Sequence, residues 1–200
     1  MTDSDDGETT SASGARPGKR ERLVSAASDL LYQQGVENTT LAEIAHVADV
    51  PLGNVYYYFK TKDEIVSAVV EAHVRNMEET MASLERRHRT PKGRLKALTR
   101  VLTGQRDLIA QYGCPHGTLC SELEKRTNGT DHATVRLMTI PIDWTERQFR
   151  AMGRHDAHDL AVEFMAAYQG AAVLTQALRQ PELITQEGRR LERWIDSLEA

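Results

Sequence analysis

Residues Thr40–Lys62 read TLAEIAHVADVPLGNVYYYFKTK, and this stretch decides the fold. Two short amphipathic helices are legible in it, joined by a tight turn. The first opens at Thr40, which forms a capping box with Glu43. The second carries consecutive tyrosines at 56, 57 and 58. Successive helical residues point about 100° apart, so one apolar stripe cannot bury all three rings. At least one ring faces outward beside Gly53, Asn54, Lys60 and Lys62. Small, polar, aromatic and cationic groups on one short helix suit a DNA backbone and groove.

On either side of this stretch helical periodicity continues from residue 19 to the end, and strand signals are nearly absent. The reading is all-α. Helix 1 is expected over about Lys19–Gln34, with Leu23, Ala26, Ala27, Leu30 and Leu31 as its core stripe and Gly35 as its stop. Helix 2 spans about Leu41–Ala48 and helix 3 about Leu52–Phe59. Thr61 and Glu64 form a second capping box that starts a long helix 4 to about Arg89. Further helices are expected over 91–112, 115–127, 131–153, 156–180 and 182–199, with a kink or break at Pro141. There is no internal repeat. The chain divides into a disordered tail (1–18), a three-helix head (19–62) and an all-helical body (63–200). Within the head, Leu41, Ile44, Ala45, Ala48, Val50, Val55 and Phe59 pack against helix 1.

The net charge of -4 gives no support for nucleic-acid binding. Residues 19–63 hold five cations (Lys19, Arg20, Arg22, Lys60, Lys62) and six anions (Glu21, Asp29, Glu37, Glu43, Asp49, Asp63). A DNA reading must therefore rest on local placement of cations. Arg16, Lys19, Arg20 and Arg22 cluster where the tail meets helix 1, either as phosphate contacts or as a solvated helix start. No apolar run approaches the roughly 20 residues that span a bilayer, and residues 1–18 lack the apolar centre of a secretory signal. A cytoplasmic protein with two free thiols is expected.

Thr40, Leu41, Ile44, Ala45, Val50, Gly53, Val55, Tyr56, Tyr58, Phe59, Lys62 and Ile65 follow, in order and spacing, the head pattern of a known family. Over residues 19–66 the chain resembles the TetR (tetracycline-repressor) family of helical transcription regulators. The resemblance implies an N-terminal helix-turn-helix with DNA contacts at Thr40, Gly53, Asn54, Tyr57, Tyr58 and Lys62. Physical reasoning agrees, because the second helix of such a unit enters the major groove by its early residues. Leu52 suits a thymine methyl, Gly53 permits close backbone approach, and Asn54 offers a paired donor and acceptor to adenine. Tyr57 and Tyr58 suit phosphates, as does Lys62 at the start of helix 4. Lys60 is either a DNA contact or a solvated charge, and Tyr56 is read as a packing ring. Two positions depart from the family pattern. Asp49 stands where glycine is frequent, which demands an unusual backbone angle, and Tyr58 stands where histidine is common.

The same resemblance implies a C-terminal ligand-binding and dimerisation body. A small hydrophobic effector would change the spacing of two heads on double-stranded palindromic operator DNA. Candidate ligand-binding residues are Leu102, Arg106, Ile109, Tyr112, Cys114, Leu119, Leu123, Met138, Ile142, Trp144, Phe149, Phe164, Met165 and Tyr168, most of which also suit a plain core. Gln169 can add a directional hydrogen bond. Homodimer contacts are expected from Leu160, Phe164, Ala167, Ala171, Leu174 and Leu178, and from Leu191, Trp194, Ile195 and Leu198. These stripes could instead pack within one subunit. Cys114 precedes Pro115 at a helix start, where a thiol can become reactive, with His116 as a further activator. Some TetR relatives with a Gly-Cys pair here sense oxidants or electrophiles, which leaves a covalent switch as the alternative. Cys114, His116 and Cys120 lack zinc-site spacing and a fourth ligand, and His155 and His158 fall at a helix junction. No metal, cofactor or catalytic group is expected, since no third group orients a Cys–His pair.

Overall fold

The computed structural model describes residues 17–127 and 132–198, so the tail at 1–16 lies outside the described residues. The helices are α1 (Lys19–Asn38), α2 (Leu41–Val47), α3 (Leu52–Tyr58), α4 (Lys62–Arg87), α5 (Pro91–Thr103), α6 (Arg106–Tyr112), α7 (Pro115–Thr127), α8 (His132–Ala151), α9 (Ala157–Leu178) and α10 (Pro181–Ser197). Among the described residues none is long and apolar enough to cross a membrane.

Local signals explain the head. Thr40 accepts the Glu43 N–H at 3.2 Å, and the Glu43 carboxylate takes the Thr40 N–H at 2.8 Å, which starts α2. The turn into α3 places Asp49 at φ 52°, the left-handed angle its sequence position demands. Arg22 secures that turn: its Nη1 donates to the carbonyls of Ala48 at 2.8 Å and Asp49 at 3.1 Å. Arg22 thus serves the fold of the turn. Thr61 caps α4 by accepting the Glu64 N–H at 3.2 Å, but the Glu64 carboxylate takes the Lys60 N–H instead of completing the box.

Three expected boundaries differ. Gly35 (φ 83°, ψ 168°) interrupts α1, yet a further turn runs on to Asn38. The segment 91–112 is two helices that part around Gly104 and Gln105. There Thr99 and Thr103 hydroxyls bond back to the carbonyls one turn earlier, which favours bending, and glycine gives helix little support. Conversely α8 continues through Pro141. Pro141 is buried and α8 is packed against α4, α7 and α9, so tertiary contact outweighs one missing hydrogen bond.

Two apolar cores result. One joins the head to the first half of α4 and includes Leu119 and Leu123 of α7 and Leu137 of α8. The other fills the body among α4, α5, α8, α9 and α10, centred on Trp144, Phe149 and Phe164. The head is therefore fused to the body through α4 and α7. Polar bonds reinforce this joint. Glu122 accepts the Val36 N–H at 2.7 Å, Tyr32 donates to the Gly113 carbonyl at 2.8 Å, and Arg126 pairs with Glu37 at 2.8 Å and Asp63 at 3.2 Å. Ser28 lies 3.2 Å from the His73 ring, which meets His116 edge-on with centroids 5.1 Å apart.

Two predictions follow from the joint. A Cβ at Gly35 would lie 3.1–3.2 Å from the Glu122 carboxylate oxygens, in a backbone region that is nearly glycine-only. Gly35→Ala should lower urea-unfolding stability by about 2 kcal/mol. Burial, and then the neighbouring His73, hold His116 down at about 4 against an ordinary 6.5. Between these values the unfolded chain binds more protons, so stability is full above pH 6.5 and is lost as pH falls toward 4. From pH 7 to pH 4.5 the native chain should lose about 2–3 kcal/mol more than His116→Phe.

Candidate functional site

The helix α3 carries its apolar side, Val55 with the flanking Phe59, into the head core, and this orients the rest of its surface outward. Tyr57 is 79% exposed and Tyr56 48%, with Leu52, Gly53 and Lys60 exposed beside them. Asn54 and Tyr58 are half-buried at the edge. Tyr56 is thus not the packing ring. Tyr58 takes that place against the head core, and Tyr57 leans on it edge-to-face at 5.0 Å.

Gly53 is informative because nothing inside the chain requires it. A Cβ there would meet no atom within 4 Å, and its backbone angle is ordinary. Glycine in a helix costs about 0.5–1 kcal/mol relative to alanine. A bare point on an exposed helix therefore suits close approach by something outside the chain.

The cations around α3 are held by helix ends. Lys60 Nζ donates to the Tyr56 carbonyl, Lys62 Nζ donates to the Glu37 carbonyl at 3.2 Å, and the Arg20 guanidinium lies over the Phe59 ring. Several anions that offset the head's charge are engaged as well. Glu37 and Asp63 face Arg126, Asp49 faces Arg22, and Glu21 accepts the Gly18 N–H. Hydrogen bonds from Thr40, first its side chain and then its backbone, hold the Glu43 carboxyl below its usual range. A face that is not basic by count can therefore present cations to a phosphate.

The body contains an apolar cavity of about 130 Å³. Of the sequence candidates, Leu102, Cys114, Met138, Met165 and Tyr168 line it. Ile109 lines an adjoining outer groove of about 440 Å³ that shares Tyr168 and His116 with the cavity. The other candidates lie elsewhere. Leu119 and Leu123 belong to the head-facing core, while Trp144, Phe149 and Phe164 are buried in the body core. Trp144 donates to Glu85 at 2.8 Å. Arg106 pairs with Glu182 at 3.0 Å, and Tyr112 packs edge-on against Tyr32. Sequence reasoning missed Asn76, Met77 and Met81 of α4, although their spacing of one and four residues marks one helical face.

Cys114 is 5% exposed, and its Sγ accepts the Gly117 N–H at 3.4 Å and the Gln169 amide at 3.5 Å. Both cysteines are free thiols. His116 does not reinforce Cys114 as a cation, since burial keeps it neutral near pH 7. Burial and then Glu124 push the Cys120 thiol up. His158 pairs with Glu146 at 2.9 Å, and no three metal-ligating side chains converge among the described residues.

The stripes on the last helices divide. Leu160 and Phe164 of α9, and Leu191 and Ile195 of α10, are buried in their own subunit, with Trp194 and Leu198 packed partly against the same core. Ala167 and Ala171 are half-buried, whereas Leu174 and Leu178 are exposed together with Val162 and Val173.

Comparison with known proteins places this geometry. Residues 23–69 match the family described as bacterial regulatory proteins, tetR family. The chain is 24% identical over 188 residues to the HTH-type transcriptional regulator TtgR of Pseudomonas putida, covering 89% of this chain and 88% of that protein. It is 28% identical over 135 residues to the HTH-type transcriptional repressor NemR of Escherichia coli, covering 68% of this chain and 60% of that one. Other curated relatives are matched over about half of their length or less. The fold is shared with a TetR transcriptional regulator from Legionella pneumophila at TM-score 0.80, 13% identity and coverage of 90% and 98%. It is also shared with the reduced form of NemR at TM-score 0.75, 19% identity and coverage of 88% and 96%. Residues 23–69 thus form a helix-turn-helix head of the tetR-family pattern, set on a helical body that shares the fold of solved TetR-family regulators.

Proposed function

We propose that the chain is a cytoplasmic, homodimeric repressor that binds a palindromic operator and is released by a small hydrophobic effector. The carrying observation is the unexplained bareness of Gly53 on a helix whose neighbours Leu52, Tyr57 and Lys60 all face outward. In this reading 19–62 reads DNA, with Thr40, Leu52, Gly53, Asn54, Tyr57, Tyr58, Lys60 and Lys62 as contacts, and 63–200 senses and dimerises. The half-free Asn54 takes the base-reading role, and the tyrosine hydroxyls and lysines take phosphates.

The exposed side of α9 supports a second copy of the chain as partner. Val162, Ala166, Gly170, Leu174 and Leu178 are exposed at helical spacing, and a Cβ on Gly170 would meet nothing. Small residues at the centre of such a stripe let two helices approach closely. Dimerisation doubles the phosphate contacts of a head that is not basic overall, and binding should weaken steeply with salt.

Cavity size supports the release step. Drug-sized ligands occupy roughly 300–1,000 Å³, so about 130 Å³ must expand on binding. Four thioethers, Met77, Met81, Met138 and Met165, line it and can repack. Three of its walls, α4, α7 and α8, also contribute to the core that holds the head. Parting them shifts the head, and by linkage operator binding opposes the effector equally.

A second reading has its own observation. Cys114 borders both the inner cavity and an outer groove beside α9, with two N–H donors on its sulfur. A thiol that borders both spaces can be reached by an electrophile held in either, which would make a covalent switch. That NemR shares the fold and has been solved in a reduced form is compatible with redox control in relatives.

Fluorescence anisotropy on promoter-proximal DNA tests these readings. Gly53→Ala should gain about 0.5–1 kcal/mol of stability while weakening operator binding at least about tenfold. Unchanged affinity would remove the interface reading. Asn54→Ala should cost about 1–3 kcal/mol of binding and relax sequence preference. A repressor released by reversible apolar compounds should respond unchanged after Cys114→Ser, whereas a thiol switch should lose its response to a mild electrophile.

A further inference from the structure

We infer that the groove at the seam between head and body is the polar half of an amphiphile site, and that it selects a cationic head group. This rests on the effector-cavity reading above and names the ligand class for it. The groove is built by both parts of the chain. Ser28, Asp29 and Tyr32 of α1 form one wall, α5 and α6 form another, and His73 and Asn76 of α4 lie between them. Asn76, His116 and Tyr168 also line the apolar cavity, so a single layer of side chains separates the two spaces.

The two spaces differ in chemistry. The inner one is walled mainly by thioethers and aliphatic groups and has no charged side chain among its described lining residues. In the outer one Asp29 is the only charged side chain among the described lining residues. Asp29 also borders the next groove along α1, where Arg20, Glu21 and Arg75 stand, and both arginines lie outside the lining of the seam groove. Burial holds His73 and His116 neutral, so neither opposes a cation and each has one acceptor ring nitrogen, although His73 Nε2 already lies 3.2 Å from Ser28 Oγ. The Tyr32 hydroxyl donates to Gly113, which leaves its oxygen as an acceptor. An anionic head would meet a carboxylate and no lining cation. A protonated amine meets a carboxylate, several acceptors and the rings of Tyr32 and Tyr168. Because α1 supplies Asp29 and Tyr32, such a ligand touches the DNA-reading head directly.

The test uses the full-length chain and three probes with one apolar body: 4-phenylbutylamine, 4-phenylbutanol and 4-phenylbutyrate. Calorimetric titration should show the amine binding at least about tenfold tighter than the carboxylate, with the alcohol between. Asp29→Asn, on an exposed position, should bring the amine to within about twofold of the alcohol and leave the alcohol unchanged. Met138→Gln, inside the apolar cavity, should weaken all three. A carboxylate that binds as well as the amine, or an amine preference that survives Asp29→Asn, overturns the seam assignment and leaves the apolar cavity standing. Absence of binding by all three probes, in protein that still holds operator DNA, overturns both.

Discussion

The carboxylate of Glu122 sits where α1 is interrupted at Gly35 and accepts the Val36 N–H. Much of the structure depends on this contact. It sets the carboxyl-terminal half of α7 against the head, where Arg126 adds a grip on Glu37 and Asp63 and Leu119 and Leu123 enter the head core. The opposite end of α7, at Cys114, Pro115 and His116, borders the cavity and the seam groove. A helix of 13 residues is roughly 20 Å long, so one rigid element reaches from the cavity and seam groove to the helix-turn-helix head. Position 35 calls for glycine because its φ of 83° with ψ of 168° is a backbone region other residues rarely adopt, and a Cβ would in addition press to 3.1–3.2 Å of the carboxylate oxygens.

The head was legible because its determinants are local. The capping box at Thr40 and Glu43, the turn at Asp49 and the excess of rings on α3 are all carried by residues within a few positions of each other. The body was legible as helices but not as a site. Apolar spacing reports that a face is covered, not whether a neighbour fills the space completely, so Trp144 and Phe164 looked as suitable as Met138 and Met165. The contribution of α4 was hidden for a related reason. As the element that links head to body it reads as a connector, while its middle faces the cavity through Asn76, Met77 and Met81. Pro141 and Gly104 show the limit from the other side, since the surrounding helices decide which weak point gives way.

The last helices illustrate how one pattern can serve two surfaces. The stripe of α10 is absorbed almost wholly by its own subunit through Leu191 and Ile195. The helix α9 is apolar on both sides, with Phe164, Met165 and Tyr168 inward and Val162, Val173 and Leu174 outward. Asp159 and Glu163 interrupt the outward side near its start, so the apolar stripe that the proposed second copy would cover lies mainly toward Val173, Leu174 and Leu178.

The thioether walls have a consequence for the breadth of chemical response. Unbranched, polarizable side chains conform to a guest and themselves offer it no directional bond, so this part of the wall discriminates weakly among apolar shapes. In a pocket of this kind one methylene more or less changes affinity by only about 1–3 kcal/mol. In the proposed effector reading the thioether walls make for breadth, and selectivity falls to the polar groups of the lining and the rim.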